Sequence, residues 1–334
     1  MEKAILITGP NLDPSAAKLV EEHGFKAFYT PAYAESDVIS EHLRESGAVG
    51  IVSRLGRLDA SVMDAAPQLR VISKHGVGVD NIDVAAATER GIPVLVAPGE
   101  NAVSVAEHAI ALLLASVKRI LPLDTGLRAG RWEKPGFAGR ELAGATFSLM
   151  GMGSIAQATG RFAKCLGMQL AGFDPYAKDD VFEKLGVYRC KSYEELLKKA
   201  DILSLHCPLN DQTRSMVNAT AIASMPKGSY IINTARGGLI DEAALLEAIQ
   251  SGHLAGAGLD TFATEPPGSN HPFWAEPRIV ATPHIAGVTK QANARVGIAA
   301  VRGIIQFLGG ESIDPERIVN HHQLADTIGA VVKK

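Results

Sequence analysis

The stretch Ala145–Pro175 constrains the fold of this chain more than any other part of the sequence. An apolar run leads into Gly151-Met152-Gly153, a helical pattern follows, and a second apolar run ends at Asp174. Strand, glycine turn, helix, strand and acid, in this order, are typical of a dinucleotide-binding βαβ unit. A glycine turn alone also suits an ordinary strand–helix junction, so the spacing of the acid favours the cofactor interpretation.

Each polar or small position of this stretch has a chemical role in that interpretation. Gly151 permits the tight turn, and Gly153 lets the backbone approach a pyrophosphate at the helix N-terminus, where unpaired N–H groups favour anions. Asp174 follows Gly153 by 21 residues. Its carboxylate can accept a hydrogen bond from the ribose 2′-hydroxyl and would repel a 2′-phosphate. We therefore predict NAD as the cofactor.

The remainder of the chain continues the alternation of strands and helices. Apolar strand-like runs alternate with helical patterns over the first hundred residues, and a second such series begins at Ala145. Long helical patterns run from Asn101 to about Leu121 and from about Val288 to Leu308. Alternating elements of this kind predict βαβ units and parallel sheets. A length of 334 residues suits two such domains.

Composition excludes several classes of function. A net charge of −3 gives no electrostatic reason to expect nucleic acid or an anionic membrane surface as a partner. The most apolar helical run, Ala109–Val117, is far shorter than the roughly 20 residues that span a bilayer. Three scattered cysteines without a CxxC pair argue against disulfides and a metal site, and they favour a reducing cytoplasm. The N-terminus has no pattern of a secretory leader.

Three predicted strand ends in the second half carry groups suited to hydride transfer at a carbonyl. Arg236 follows one strand, Asp260 and Glu265 follow the next, and His284 follows the last. An arginine fork can hold a carboxylate and polarise the adjacent keto oxygen. A histidine can exchange the hydroxyl proton, and a neighbouring carboxylate orients it and favours its protonated form. Any one of these side chains alone would also suit an ordinary surface loop.

Motifs along nearly the whole chain resemble the D-isomer-specific 2-hydroxyacid dehydrogenase family, which includes phosphoglycerate, glycerate and D-lactate dehydrogenases. The resemblance implies a flavodoxin-like substrate-binding domain from residues 1–100 and 288–334, with a Rossmann NAD-binding domain, 101–287, inserted in it. Both would be doubly wound parallel-sheet α/β domains with the active site in the cleft between them. The motifs are SKHGVGVDNID (Ser73–Asp83), NAVSVAEHAIALLL (Asn101–Leu114), GMGSIA, HCPL (His206–Leu209), NTARGGLID (Asn233–Asp241), LDTFATEP (Leu259–Pro266) and TPHIAG (Thr282–Gly287).

The resemblance also assigns site residues. It implies that Arg236 binds the substrate carboxylate and carbonyl, that His284 is the acid/base, and that Glu265 is its partner. Substrate binding is implied for Arg236, His284 and the backbone amides of a loop at His75, Gly76 and Val77, while Arg54 could receive an anionic substrate tail. Cofactor binding is implied for Gly151, Gly153, Ser154, Ile155, Asp174, Cys207, Pro208, Thr234, Ala235, Arg236, Asp260, His284 and Gly287.

We therefore predict a cytoplasmic, homodimeric, NAD-dependent oxidoreductase that interconverts a small D-2-hydroxy acid and a 2-keto acid. Phosphoglycerate dehydrogenase itself is an alternative. Lys74-His75 stands where such relatives often have arginine and a small residue, and the chain ends soon after its last helix, so both features weaken that alternative. A second alternative is an NAD-sensing, corepressor-like binding protein on the same fold. Formate dehydrogenase, a third, needs no protonated histidine–glutamate pair.

Overall fold

The computed structural model describes residues 3–324. Within it the chain divides into two compact units, and the division falls after Asn101 and again after Val288. The first unit therefore combines the N-terminal hundred residues with the segment from Thr289 onward, and the second unit is the continuous segment between them. The predicted C-terminal tail, 325–334, lies outside the described residues.

The first unit contains a five-stranded parallel sheet with helices between the strands. Its N-terminal part consists of β1 (Lys3–Ile7), α1 (Pro14–Glu22), β2 (Phe25–Tyr29), α2 (Ser36–Ser46), β3 (Gly50–Ser53), α3 (Ala60–Asp64), β4 (Val71–Lys74), α4 (Val84–Glu89) and β5 (Val94–Leu95). The strands lie in the order β2-β1-β3-β4-β5. This is the doubly wound order of flavodoxin-like sheets, so the predicted fold of this unit is confirmed.

The second unit contains a seven-stranded parallel sheet. Its elements are α5 (Ala102–Val117), α6 (Ile120–Arg128), β6 (Thr146–Met150), α7 (Ser154–Cys165), β7 (Gln169–Phe173), α8 (Asp179–Leu185), β8 (Tyr188–Arg189), α9 (Tyr193–Lys199), β9 (Ile202–Leu205), α10 (Ala219–Ala223), β10 (Ser229–Asn233), α11 (Glu242–Gln250), β11 (Leu254–Leu259) and β12 (Ile279–Ala281). The strand order is β12-β11-β10-β9-β6-β7-β8. The order reverses between β9 and β6, as in a Rossmann sheet, which confirms the predicted dinucleotide-binding fold.

The chain then returns to the first unit through α12 (Lys290–Gly309). Its apolar face packs on β3 and β4, where Gly50 has no side chain and so leaves room for Ile304. Beyond the helix, Asn320 is buried, and its side chain bonds to the Val94 N–H and to the Ile92 carbonyl, both at 3.0 Å. These bonds satisfy backbone groups beside β5, at the end of the strand order.

Aspartate side chains fix where several helices begin. Asp13, Asp59 and Asp83 each precede a helix of the first unit and accept a hydrogen bond from its first turn. Asp241 does the same for α11 through the N–H groups of Ala243 and Ala244, as the sequence predicts. Such caps satisfy N–H groups that have no partner within the helix.

The first long helix is shorter than the prediction. It ends at Val117 rather than near Leu121, and Arg119 adopts a left-handed conformation with φ of 53° before α6 begins. Pro122 explains the break, because a proline ring clashes with the carbonyl four residues earlier in a continuous helix but fits the first turn of a new one. The sequence analysis also assigned no element to the short α8, β8, α9 and α10.

No helix among the described residues is long and apolar enough to cross a membrane.

Candidate active site

The predicted site residues of the second unit lie along one edge of its sheet. All seven strands are parallel, so their carboxyl ends meet at the same edge, which is where doubly wound sheets bind ligands. In spatial order, His284 follows β12, Asp260 and Glu265 follow β11, Arg236 follows β10, Cys207 follows β9, Gly151 follows β6 and Asp174 follows β7. The reacting groups are therefore at one end of this edge and the predicted ribose contact is at the other.

The glycine turn after β6 fits a dinucleotide. Gly151 has φ of 92°, and a Cβ there would lie 3.0 Å from the backbone of His206 and Cys207, so the turn requires glycine. A Cβ on Gly153 would meet nothing within 4 Å. Ser154, at the start of α7, is also exposed, and within residues 3–324 no side chain caps this helix. Open space in front of unpaired helical N–H groups suits a pyrophosphate.

Asp174 has a structural contact that the sequence analysis did not predict. One carboxylate oxygen accepts from the Met152 N–H at 2.9 Å. The other accepts from the N–H groups of Tyr176 at 2.9 Å and Ala177 at 3.1 Å. Each carboxylate oxygen has two lone-pair sites, so a ribose hydroxyl can still bind. Asp174 thus holds the glycine turn in addition to its predicted role.

We expect Asp174→Ala to lower the preference for NADH over NADPH, expressed as the ratio of kcat/KM values, by roughly 10–100-fold. The variant loses a charged acceptor for the 2′-hydroxyl and the repulsion of a 2′-phosphate. Its Tm should also fall, because three N–H groups lose their acceptor. Asp179→Ala, which removes an exposed carboxylate at the start of α8, is the matched control and should leave the ratio unchanged. A parent enzyme that used both coenzymes equally would show that the role assigned to Asp174 is wrong.

A rigid loop after β10 carries Arg236. The Asn233 side chain accepts from the Ala235 N–H at 3.0 Å and donates to the Arg236 carbonyl at 2.8 Å, which closes the turn. Gly237 follows, and a Cβ at that position would overlap the carbonyl group of Phe262. The loop after β10 is therefore in direct backbone contact with the loop after β11 that leads to Glu265.

Glu265 and His284 form the pair that the sequence predicts. His284 Nδ1 lies 2.6 Å from Glu265 Oε2, and the other Glu265 oxygen accepts from the Phe262 N–H at 3.0 Å. Burial would raise the pKa of Glu265, but the hydrogen bonds from His284 and Phe262, together with the charges of His284 and Arg236, hold it below its ordinary value. An ionised Glu265 fixes the proton on Nδ1, which leaves Nε2 to exchange a proton with a substrate.

The backbone at His284 is held in an unfavourable conformation by Asp260. His284 has φ of 54°, a region that non-glycine residues rarely adopt. Its N–H donates to the Asp260 carbonyl at 2.8 Å, and the Asp260 carboxylate accepts from the N–H groups of Ile285 at 2.9 Å and Ala286 at 2.8 Å. The Asp260 side chain is fully buried. Asp260, predicted as a cofactor contact, is thus the residue that fixes the turn carrying His284.

The other predicted cofactor positions differ in what they expose. Burial raises the pKa of the Cys207 thiol to about 11, so this thiol is neutral at physiological pH, and the next residue, Pro208, is exposed. The Thr234 hydroxyl is buried and has no hydrogen-bond partner among residues 3–324, which fits a position that a ligand completes. Ile155, Ala235 and Gly287 are partly exposed at the same edge. Cofactor contacts at these positions stay predictions.

The predicted substrate residues of the first unit form their own cluster. The Arg54 guanidinium donates to the side chain and backbone carbonyl of Asn11. Burial, followed by the Arg54 charge, lowers the pKa of His75 to about 4, so its ring is neutral at physiological pH. The N–H groups of His75 and Gly76 donate to the Ser53 and Lys74 carbonyls, both at 2.9 Å.

Two of the three loop amides predicted to bind a carboxylate are therefore engaged within the unit. Val77, the third residue of the predicted loop, is 45% exposed. The substrate role of this loop stays a prediction.

Several positioning residues escaped the sequence analysis. Asn233 shapes the Arg236 loop, Thr282 donates to Asp260 at 2.6 Å, and His108 contacts Thr282 at 2.8 Å. Asn233 had a local signal, because asparagine after a strand commonly closes a turn. His108 lies more than 170 residues from Thr282 in the chain, so no local pattern could pair them.

Comparison with known proteins identifies the family. Residues 110–286 match the NAD-binding domain of the D-isomer specific 2-hydroxyacid dehydrogenases. The chain is 39% identical over 317 residues to the D-3-phosphoglycerate dehydrogenase of Methanocaldococcus jannaschii, covering 95% of this chain but 59% of that enzyme. It is also 39% identical over 285 residues to the hydroxypyruvate reductase of Thermotoga maritima, covering 82% of this chain and 92% of that enzyme.

A solved structure agrees with these matches. A crystal structure of a protein from Thermus thermophilus superposes with a TM-score of 0.85 at 36% identity, covering 95% of this chain and 99% of that one. The chain belongs to the D-isomer-specific 2-hydroxyacid dehydrogenase family, and its cofactor is NAD. The family prediction is confirmed.

Proposed function

We propose that this protein interconverts a small 2-keto acid and the corresponding D-2-hydroxy acid, with Arg236, Glu265 and His284 as its catalytic groups. The observation that carries the proposal is the His284 Nδ1–Glu265 Oε2 contact of 2.6 Å, with the Arg236 charge acting on the same carboxylate. Adjacent strands place these three groups at one edge of the sheet. A cation beside an oriented acid/base pair is what reduction of a keto acid requires.

The chemistry divides between these side chains. The Arg236 guanidinium binds the substrate carboxylate and polarises the keto oxygen. Bound NADH supplies the hydride that reaches the carbonyl carbon. His284 gives its Nε2 proton to the keto oxygen while Nδ1 stays bonded to Glu265, so one hydride and one proton complete the hydroxy acid. In the reverse direction Nε2 accepts the hydroxyl proton.

An unphosphorylated substrate is favoured by the arrangement of Lys74. Its ammonium donates to Asn81 Oδ1 at 2.6 Å, and Asn81 donates in turn to the Gly56 carbonyl at 2.7 Å. This cation, which stands where phosphoglycerate-specific relatives often have arginine, therefore takes part in a bond within the unit. We propose a hydroxypyruvate-like substrate on this basis.

Phosphoglycerate is the second candidate. Arg54 is only partly buried and Arg57 is exposed, so either could receive a phosphate. Steady-state rates with NADH and a panel of 2-keto acids test the choice: hydroxypyruvate, glyoxylate, pyruvate and 3-phosphohydroxypyruvate. We expect the highest kcat/KM with hydroxypyruvate. A clear preference for the phosphorylated acid would favour the second candidate, and absence of turnover with every acid would favour a coenzyme-sensing binding protein.

We expect Glu265→Gln to move the upper pH limit of keto-acid reduction to lower pH. Glu265 has a lowered pKa, so it is ionised at neutral pH, and its charge favours the protonated imidazole beside it. Without that charge, His284 loses its proton earlier as the pH rises. The pH profile of kcat measures this shift. Glu247→Gln, an exposed carboxylate on α11, is the control, and overlaying profiles for parent and Glu265→Gln would show that Glu265 is not the partner.

We also propose a homodimer in a reducing compartment such as the cytoplasm. The segment from α6 onward exposes Leu127 by 58% and Trp132 by 72%, with Ile120 and Leu121 also about half exposed. An apolar patch of this kind is typical of an interface, and two copies of one patch can pair about a twofold axis. The three cysteines are free thiols, and two of them are buried. Sedimentation equilibrium would give twice the chain mass of 35.2 kDa for a dimer.

A further inference from the structure

The turn that carries His284 has a support outside the two strands that flank it. Thr282 donates its hydroxyl proton to Asp260 Oδ1 at 2.6 Å, and the same carboxylate accepts the N–H groups of Ile285 and Ala286. Asp260 is fully buried, so its charge depends on these donors. Each of these bonds to the carboxylate therefore bears on the geometry of the turn around His284.

His108 on α5 contacts this group from the opposite side. Its Nε2 lies 2.8 Å from Thr282 Oγ1 and 3.5 Å from Asp260 Oδ1, and its side chain is 21% exposed. A hydroxyl has one proton, and the short bond assigns the Thr282 proton to Asp260. Thr282 Oγ1 must then accept from His108, so His108 carries a proton on Nε2. The chain of bonds runs from His108 through Thr282 to Asp260 and ends at the turn of His284.

We propose that His108 is a positioning residue for the acid/base His284, acting through Thr282 and Asp260. The inference rests on the proposed catalytic role of His284. His284 occupies a left-handed backbone conformation that is unfavourable in isolation, so it must be held by its surroundings. His108 fixes the rotamer of Thr282, and Thr282 fixes the carboxylate that binds the two N–H groups after His284. It contributes through the placement of the imidazole and has no contact with the reacting atoms.

Two substitutions of His108 separate this role from simple packing. Glutamine can place an N–H donor near the position of Nε2, whereas leucine fills a similar volume without a donor. We expect His108→Leu to lower kcat roughly tenfold, the effect of losing one hydrogen bond, with an unchanged Kd for NADH. His108→Gln should recover most of that loss. His42→Leu is the control, because His42 is also a partly exposed helical histidine, bonded to its own helix.

A double-mutant cycle tests whether the residues act as one chain. Thr282→Val removes the hydroxyl at nearly constant shape, so it breaks the same path as His108→Leu. The double variant should therefore be no slower than the slower single variant. Losses that multiply, or a glutamine variant as slow as the leucine variant, would overturn the proposal.

Nitrogen-detected NMR of the histidine rings gives a readout that needs no turnover. In the parent protein, His108 should appear as the Nε2–H tautomer. In His108→Leu the ring signals of His284 should shift, and in His108→Gln they should return toward the parent values. Unchanged His284 signals in His108→Leu would overturn the positioning role. Lack of turnover in the parent, with these shifts present, would instead refute the proposed function and leave the contact established.

Discussion

We expect His284→Gln to lower kcat for keto-acid reduction by roughly 10²–10⁴-fold, the usual contribution of general acid–base catalysis. Glutamine is polar and of similar reach, so it can still donate to Glu265, which His284 contacts at 2.6 Å. It cannot give up a proton to the keto oxygen. The affinity for NADH, measured by fluorescence titration, should change little, because the coenzyme contacts lie mainly on other strand ends.

His253→Gln is the matched control for this variant. His253 lies in the same unit and bonds through Nε2 to the Ile222 carbonyl at 2.9 Å, a bond that glutamine can replace. Its kcat should equal that of the parent. A His284→Gln enzyme that kept a third or more of the parent rate would show that the acid/base is a different residue.

Gly237→Ala should damage the enzyme almost as strongly without removing any functional group. The added methyl would overlap the carbonyl carbon and oxygen of Phe262, and backbone atoms cannot rotate away as a side chain can. The loops that carry Arg236 and Glu265 would have to separate. We expect a loss of kcat/KM of roughly 10²-fold, as for a displacement of about 1 Å between reacting groups. Overpacking of this kind should also cost about 1–3 kcal/mol in the free energy of unfolding.

Gly268→Ala controls for the effect of the methyl group itself. A Cβ on Gly268 meets nothing within 4 Å, although this residue lies in the loop that follows Glu265. Its Tm and kcat/KM should match those of the parent. If Gly237→Ala had parental kcat/KM, the contact between the two loops would have no part in holding Arg236 near Glu265.

The sequence predicted those features that depend on local spacing. Gly151, Gly153 and Asp174 belong to one βαβ unit, and their distances along the chain follow from the lengths of a strand, a turn and a helix. The pairing of Glu265 with His284 was also predictable, because consecutive parallel strands usually lie side by side and end at the same edge. Both predictions required only the order of the elements.

Features that depend on tertiary contacts were out of reach. His108 meets Thr282 only because α5 packs against β11 and β12, and a helical pattern does not state which sheet face it covers. The contact of Gly237 with Phe262 likewise depends on the spacing of two loops. Strand β8 has two residues, too few for a periodic pattern. The break at Arg119 had a signal in Pro122, which the prediction of one long helix overlooked.

The two-part construction of the first unit has a consequence for how the protein is made. The apolar face formed by Ile5, Val52 and Val71 packs against Val301 and Ile304 of α12, which leave the ribosome some 200 residues after β5. The second unit is continuous in sequence and can complete its core during that interval, whereas the first unit cannot. A nascent chain therefore exposes a half-covered sheet during synthesis of the entire NAD-binding unit. Chaperone demand should thus be set by the unit that begins first and finishes last.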